Sequence, residues 1–408
     1  MFELREYQES NANKLVQILH KLKIAYFSAE CRTGKTLTAL RTCEILKSKK
    51  VLFVTKKKAI GSIESDFQLG GFKYDLNVVN YESLHKLEKI DFDIVIADES
   101  HVCGAFPKMS KRTKQLKEII HKNKCFLLML SGTPNAESMS MLYHQFALSP
   151  FSPFDEKSFY KFAHKYVFIQ LKKIGGMDIR DYSQANEELI REKTKDYFLS
   201  FTQKQAGFTT EVIEKVLTVP MKPITYQLIK RLKKDKVIEG KEHIILADTG
   251  AKLMSKTHQL SSGTIKFDDG SAQTIDDSKA LFIKEYFKGQ KIAIFYIFKQ
   301  EYKLLKETFG DNITDDLNEF NTSEKSFAVQ IQSGKEGINL SKAESLVMFN
   351  IAFSSSSYFQ SKERLSTKDR SENKLFWIFS DKGIESKIYD VVMKKSDFTL
   401  KYFNQWLK

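Results

Sequence analysis

Proline is scarce in this chain, 6 residues in 408, which leaves no material for stiff proline-rich linkers. No apolar run approaches about 18 residues, so no segment reads as a membrane-spanning helix. The first ten residues, MFELREYQES, lack the basic-then-apolar order of a secretory signal. The expectation is therefore a cytoplasmic protein without a membrane partner. Cysteines number four, Cys31, Cys43, Cys103 and Cys125, and none is spaced as a paired metal ligand. In a reducing compartment they are expected as buried or incidental thiols rather than disulfides. Solenoid-type repeats and low-complexity tracts are missing as well.

What is present is an ordinary globular composition with a basic surplus. Hydrophobic residues make up 42% and charged residues 28%, with 32 phenylalanines available for large cores. The length suits about two or three domains. A net charge of +14 and a pI near 9.2 suggest a polyanionic partner, although many basic proteins bind no nucleic acid. Residues 1–150 hold 23 Lys+Arg against 16 Asp+Glu, and the rest hold 42 against 35, so each part carries +7. The surplus is spread over the chain and is not a basic tail.

Strand-like apolar runs alternate with helical patterns from the start. IAYFSAE, VLFVTKKK, DIVIADES and FLLMLSGTP each end in a polar tip, and KIAIFYIF, SFAVQIQSG, SLVMFNIAF and KLFWIFSD form a second such series. Strands with polar carboxyl ends, separated by helices, argue for parallel sheets with ligands at those ends. Between the two series, residues 154–280 read as mostly helical and charged. The predicted fold is α/β, two parallel-sheet domains with a helical insertion between them.

Ala29-Glu30-Cys31-Arg32-Thr33-Gly34-Lys35-Thr36 follows a strand and opens a helix, the context a phosphate-binding loop requires. Gly34 would let backbone N–H groups approach phosphate oxygens, with the helix N-terminus adding its partial charge. Arg32 and Thr33 line the same loop, Lys35 would reach the β- and γ-phosphates, and Thr36 would give a hydroxyl to Mg²⁺. Position 29 is Ala where the strict pattern has Gly. Asp93–His101 reads as a buried strand ending in two carboxylates: Asp98 to hold Mg²⁺ and Glu99 to polarise water. Adjacent acids also cap helices, but this pair lies some 60 residues after the loop, behind an apolar run. Ser131-Gly132-Thr133-Pro134 is an ordinary turn by itself, and as the third strand end in order it reads as the segment coupling hydrolysis to movement.

CRTGKT, DESH and SGTP in this order resemble superfamily 2 helicases. Gln332-Ser333-Gly334-Lys335-Glu336-Gly337-Ile338-Asn339-Leu340 looks like that superfamily's fifth motif, and Gln360 through Arg364 to Arg370 like its sixth. Leu4-Arg5-Glu6-Tyr7-Gln8, HQLSSG, GINL and Gly383-Ile384-Glu385-Ser386-Lys387-Ile388-Tyr389 resemble the Swi/Snf-type double-stranded DNA translocases in a compact, bacteriophage-like form. The likeness covers nearly the whole chain outside about 155–250. It implies two RecA-like lobes, 1–153 and 281–408, with the insertion 154–280 leading into the second. It also implies a bacterial or phage-infected host.

The resemblance further implies that Arg5, Gln8 and Gly337 join the ATP site, with Gln8 on the adenine. Gln360 joins Ser131, Gly132 and Thr133 in coupling. Lys56, Lys57, Asn80, Tyr81 and Ser333 would grip DNA. Arg364 would act on the γ-phosphate. Two features depart from the pattern. Lys56-Lys57-Lys58 stand where a proline is common, and Thr367 occupies the place of the second arginine, leaving Arg370 preferred over Lys368. The expected activity is ATP hydrolysis coupled to movement on duplex or branched DNA, by a monomer with little sequence preference, in replication, recombination or repair. An RNA helicase, a restriction-enzyme motor that would need a nuclease partner, and a binding module with a degenerate ATPase are the alternatives.

Overall fold

A computed structural model of the chain describes residues 3–30, 32–87, 91–135, 138–174, 177–207, 212–240, 243–331, 340, 342–354 and 373–394. The chain divides into two compact units, Met1–Phe208 and Thr209–Lys408.

The first unit opens with helix α1 (Glu6–Leu22), whose Ala12, Leu15 and Leu19 recur at three- and four-residue steps and are buried. At its start the Arg5 N–H donates to Gln8 Oε1 (2.9 Å), and Lys23 ends it in the left-handed region. Strands β1 (Ile24–Ala29), β2 (Lys50–Thr55), β3 (Asp75–Asn80), β4 (Ile94–Asp98) and β5 (Phe126–Ser131) follow. Later come the antiparallel hairpin β6 (Gln170–Ile174) and β7 (Met177–Asp181), and then β8 (Phe198–Phe201). The sheet order is β3-β2-β4-β5-β1-β8, and every neighbouring pair is parallel. The central strands are continuous apolar runs because the sheet is covered on both faces. One face packs Tyr26, Val54, Val95 and Met129 against Leu116, Ile120 and Phe146. The other packs Phe27, Phe53, Ile96 and Leu128 against Leu15, Leu40 and Cys43. Each such side chain contributes about 1.5–3 kcal/mol by leaving water.

The second unit holds β9 (Val212–Val219), the small pairs β10 (Val237–Glu239) with β11 (Ile244–Leu246) and β12 (Thr264–Lys266) with β13 (Ala272–Thr274), and then β14 (Ile292–Tyr296), β15 (Ile313–Thr314), β16 (Ser326–Gln330), β17 (Ser345–Met348) and β18 (Asn373–Ser380). Its main sheet, β15-β16-β14-β17-β18-β9, is again wholly parallel. Its core also contains polar groups. Lys279 Nζ bonds to Glu385 Oε1 (3.2 Å) and to the Phe349 carbonyl (2.6 Å), and Ser380 Oγ donates to Glu385 Oε2 (2.8 Å). Gly383 is required beside them, since a Cβ there would lie 1.8 Å from Ser380 Oγ. His258 bonds through Nε2 to Asn350 Oδ1 (2.6 Å), and Asn350 Nδ2 donates to Glu301 Oε1 (2.6 Å).

Two α/β domains with parallel sheets are thus as expected, and the segment 154–280 contributes strands as well as helices. It is shared between the units, which part at 208/209, and it supplies an edge strand to each sheet: β8 beside β1 and β9 beside β18. FLSF and VIEKVLTV are short or interrupted by charge, which is what an edge strand with one solvated side permits; β8 is fixed by Tyr26 stacking on Phe198 (4.6 Å between centroids). Cys43, Cys103 and Cys125 are free buried thiols, while Cys31 lies outside the described residues. Among the described residues, no helix is long and apolar enough to cross a membrane.

Candidate nucleotide site

Because the first unit's sheet is parallel, all its strands finish at one edge. Ser28 pairs with Ser131, Asp98 with Leu130, and Thr55 with Asn80. The loop 30–34, the Asp98-Glu99 pair, the Ser131–Pro134 turn and Lys56-Lys57 therefore leave neighbouring strand ends, the usual ligand edge of such sheets.

Gly34 is the N-cap of helix α2 (Lys35–Ile45) in the left-handed region, φ 78°, and Arg32 just before it is also left-handed, φ 62°. A side chain at 34 would face two obstacles: the backbone angle, and a Cβ 2.1 Å from Gln8 Nε2. Gln8 is 4% exposed and spans the site. Its Oε1 takes the Arg5 N–H, and its Nε2 donates to the Gly34 carbonyl at 3.4 Å. Arg41 on α2 holds Glu9 on α1 through two bonds (2.8 and 2.9 Å) and also bonds Glu44, so α1 is tied to the loop by Gln8 and to α2 by Glu9. Thr33 Oγ1 donates to the Glu30 carbonyl (2.8 Å), and Lys35 Nζ donates to the carbonyls of Ala29 (2.7 Å) and Glu30 (3.1 Å). Thr36, the second residue of α2, is half-buried.

At the tip of β4, Asp98 Oδ2 accepts from Thr55 Oγ1 (2.7 Å) and the Asp98 carbonyl accepts from the Tyr81 hydroxyl (2.7 Å). Burial first, and the charge of Glu99 second, push the Asp98 carboxyl up to about 6, against the Thr55 hydrogen bond and the Lys35 charge. That Lys35 acts on Asp98 at all places the loop lysine and the strand-tip acid in one field. Glu99 is left-handed, φ 49°, an uncommon state for a non-glycine residue. Its carboxylate lies 3.3 Å from His101 Nδ1, which is 3.0 Å from Ser131 Oγ, and Ser131 Oγ accepts the Thr133 N–H (3.1 Å). Glu99 is thus linked through two side chains to the turn expected to couple hydrolysis to movement.

Of the expected DNA grips, Lys57 is exposed and Lys56 half-buried just past β2. Asn80 is buried, and Tyr81 is 2% exposed with its hydroxyl on Asp98, so Tyr81 braces the strand tip from inside. Gly132 and Thr133 are half-buried and Ser131 is buried. Ser333, Gly337, Gln360, Arg364, Thr367, Lys368 and Arg370 lie outside the described residues. Thr55, Tyr26 and Gln145 were missed by sequence reasoning. Thr55 had a signal, as the one polar residue ending the VLFVT run, whereas the other two had none.

The donor set fits Mg·ATP. It offers a glycine cradle that no Cβ can enter, a lysine, a hydroxyl at a helix start and a carboxylate within the lysine's field. With Thr36 and Asp98 as the only protein ligands, phosphates and water would complete the octahedron that Mg²⁺ prefers. Comparison with known proteins agrees in fold. The ATP-dependent type ISP restriction-modification enzyme LlaBIII, solved bound to DNA, is 11% identical at a TM-score of 0.53. The match covers 100% of this chain and 29% of that one. The fold is the paired RecA-like one. A family model described as the res subunit of type III restriction enzymes matches residues 1–64. The Sulfolobus solfataricus SWI2/SNF2 ATPase core in complex with dsDNA is 16% identical over 96% of this chain and 91% of that one, at a TM-score of 0.45. A search of the curated proteins finds no match. The likeness to the LlaBIII structure is one of fold.

Proposed function

We propose that this chain is a DNA-dependent ATPase that moves along duplex or branched DNA. The observation that carries the reading is that His101 Nδ1 lies 3.3 Å from the Glu99 carboxylate and 3.0 Å from Ser131 Oγ, which brings a hydrolytic carboxylate and the turn after the next strand onto one imidazole nitrogen. Lys35 would neutralise phosphate charge, Thr36 and Asp98 would hold Mg²⁺, and Glu99 would orient and polarise the attacking water. Bound Mg²⁺ would supply charge neutralisation at the phosphates, and the rest is positioning. Arg364 and Arg370 are the proposed cations from the second unit, with Gly337 near the nucleotide and Gln360 in coupling. Lys56, Lys57 and Ser333 are the proposed phosphate contacts, which would carry little sequence information. Arg5 and Gln8 would frame the adenine; the Gln8 amide is already bonded to Arg5 and Gly34, so its part there includes holding the loop.

Turnover measured with no nucleic acid, duplex, forked DNA and RNA tests this directly. Duplex or forked DNA should raise the rate, and the apparent DNA affinity should fall with salt at a log–log slope of about −0.9 per phosphate contact. A rate indifferent to every nucleic acid would sink the proposal, and stimulation by RNA alone would replace it with an RNA helicase. The res-subunit match over residues 1–64 favours, as a second reading, a motor working beside a separate nuclease.

A further inference from the structure

A second path leaves the tip of β4, and its three side chains, unlike those of the first, are all fully buried. Ser100 Oγ donates to the Tyr26 hydroxyl (2.7 Å) and also lies 3.3 Å from the Leu130 carbonyl. The Tyr26 hydroxyl donates to Gln145 Oε1 (2.6 Å). Gln145 Nε2 donates to the Pro134 carbonyl (2.8 Å) and to the Met141 carbonyl of its own helix, Leu142–Phe146 with its preceding turn (3.2 Å). Ser100, Tyr26 and Gln145 are all fully buried.

The direction of every bond is forced. Two carbonyls face the Gln145 nitrogen, so its oxygen must face Tyr26; Tyr26 then spends its one proton on Gln145, and Ser100 must donate to Tyr26. Phenylalanine and leucine would fill this core without any polar group to satisfy, and burying a hydroxyl and an amide is unfavourable unless both are fully bonded. What these two groups add is a rigid connection between main-chain points. One end is the residue following Glu99, which the backbone holds in the left-handed region. The other is the last residue of the Ser131–Pro134 turn. In a low-dielectric interior such a chain of bonds is stronger than its members would be in water.

We infer that Tyr26 and Gln145 are positioning residues that transmit the state of the β4 tip to the Ser131–Pro134 turn and the helix behind it. The inference rests on the nucleotide reading above. An outer line runs through His101 and Ser131 and an inner one through Tyr26 and Gln145; they touch where Ser131 also reaches the Tyr26 hydroxyl, but only the inner one continues to Gln145 and the helix behind the turn. The ring of Tyr26 keeps its stack on Phe198 in a Tyr26→Phe variant, so that change deletes the connection and leaves Gln145 Oε1 without its donor, which the double variant below removes as well.

The test is hydrogen exchange on the full chain with and without Mg²⁺ and a non-hydrolysable ATP analogue, with turnover alongside. In wild type, exchange should slow at residues 33–38 and also at 139–147, the latter by about 2- to 30-fold, the span that mutations in coupling networks give. In Tyr26→Phe and in Gln145→Met the response at 33–38 should persist and that at 139–147 should vanish, with turnover lowered at unchanged KM for ATP. The double variant replaces both partners by apolar groups of similar shape, the change least harmful to folding. It should be no worse than the poorer single variant, as expected for two members of one path. A response at 139–147 retained in the folded double variant, or losses that add, would overturn the inference. Absence of any response at 33–38 in wild type would instead remove the nucleotide reading beneath it.

Discussion

Glu99 and Lys35 are proposed to do different work, and their substitution separates the two. Glu99→Gln keeps the shape of the β4 tip and leaves Lys35, Thr36 and Asp98 in place, so nucleotide affinity should stay near wild type while turnover collapses by orders of magnitude. Lys35→Ala should weaken nucleotide binding itself; equilibrium binding of a fluorescent ATP analogue beside steady-state turnover distinguishes them. Equal loss of binding in both would refute the division of roles. Gly34→Ala is a third case. The left-handed backbone alone costs about 1–2 kcal/mol, and the added Cβ displaces Gln8, which lies 2.1 Å away. Nucleotide affinity should fall at least about tenfold, and adding Gln8→Ala should recover only the steric part, because the backbone angle remains.

At the scale of elements, the buried polar groups of the second unit give predictions of their own. Lys279 and Glu385 are both fully buried and paired, and removing one partner strands a charge, so Lys279→Met should destabilise by about 3–5 kcal/mol in chemical denaturation. His258 is buried against Asn350, and desolvation lowers its imidazole to about 3. The folded state therefore stays neutral while the unfolded histidine, near 6.5, takes up a proton, so stability falls as pH drops from 6.5 towards 3. By pH 5 the loss from this one group is about 2 kcal/mol. His258→Gln should flatten that slope, and an unchanged slope would rule out His258 as its source. The Asp98-Glu99 and Gly34-Lys35 placements were legible because a local pattern, an apolar run with a polar tip, carries them. Tyr26 with Gln145 was not legible, because bonding partners 119 residues apart leave no periodic trace. β8 and β9 were hidden for a related reason: an edge strand needs apolar residues on fewer sides, and charged residues such as Glu214 and Lys215 make it read as helix.

For the molecule as a whole, the position of the division matters to any fragment. Residues 1–208 contain every strand of the first sheet, β8 included, so this fragment should unfold cooperatively when expressed alone. A fragment ending at 153 would leave β1 with β5 alone and expose Tyr26 and Ala29 at a raw edge; if it proved as stable as 1–208, the placement of β8 would be wrong. The second sheet is assembled differently. Among the described residues, β9 is the first of the sheet's strands to be synthesised, and its one partner, β18, is the last, about 160 residues later. At roughly 5–20 residues per second, β9 must wait on the ribosome for about 8–32 s with both edges open. Its sequence, VIEKVLTV, would be an aggregation-prone strand but for Glu214 and Lys215 at its centre. Once β18 arrives, Glu214 is used again: Trp377 Nε1 (2.7 Å) and the Tyr389 hydroxyl (2.9 Å) both donate to it. Lys215 is exposed and has no such second use, so Lys215→Val should leave the native stability nearly unchanged while lowering the yield of soluble protein on synthesis. Two charges thus guard a nascent strand during its wait, and only one of them is later employed in the finished fold.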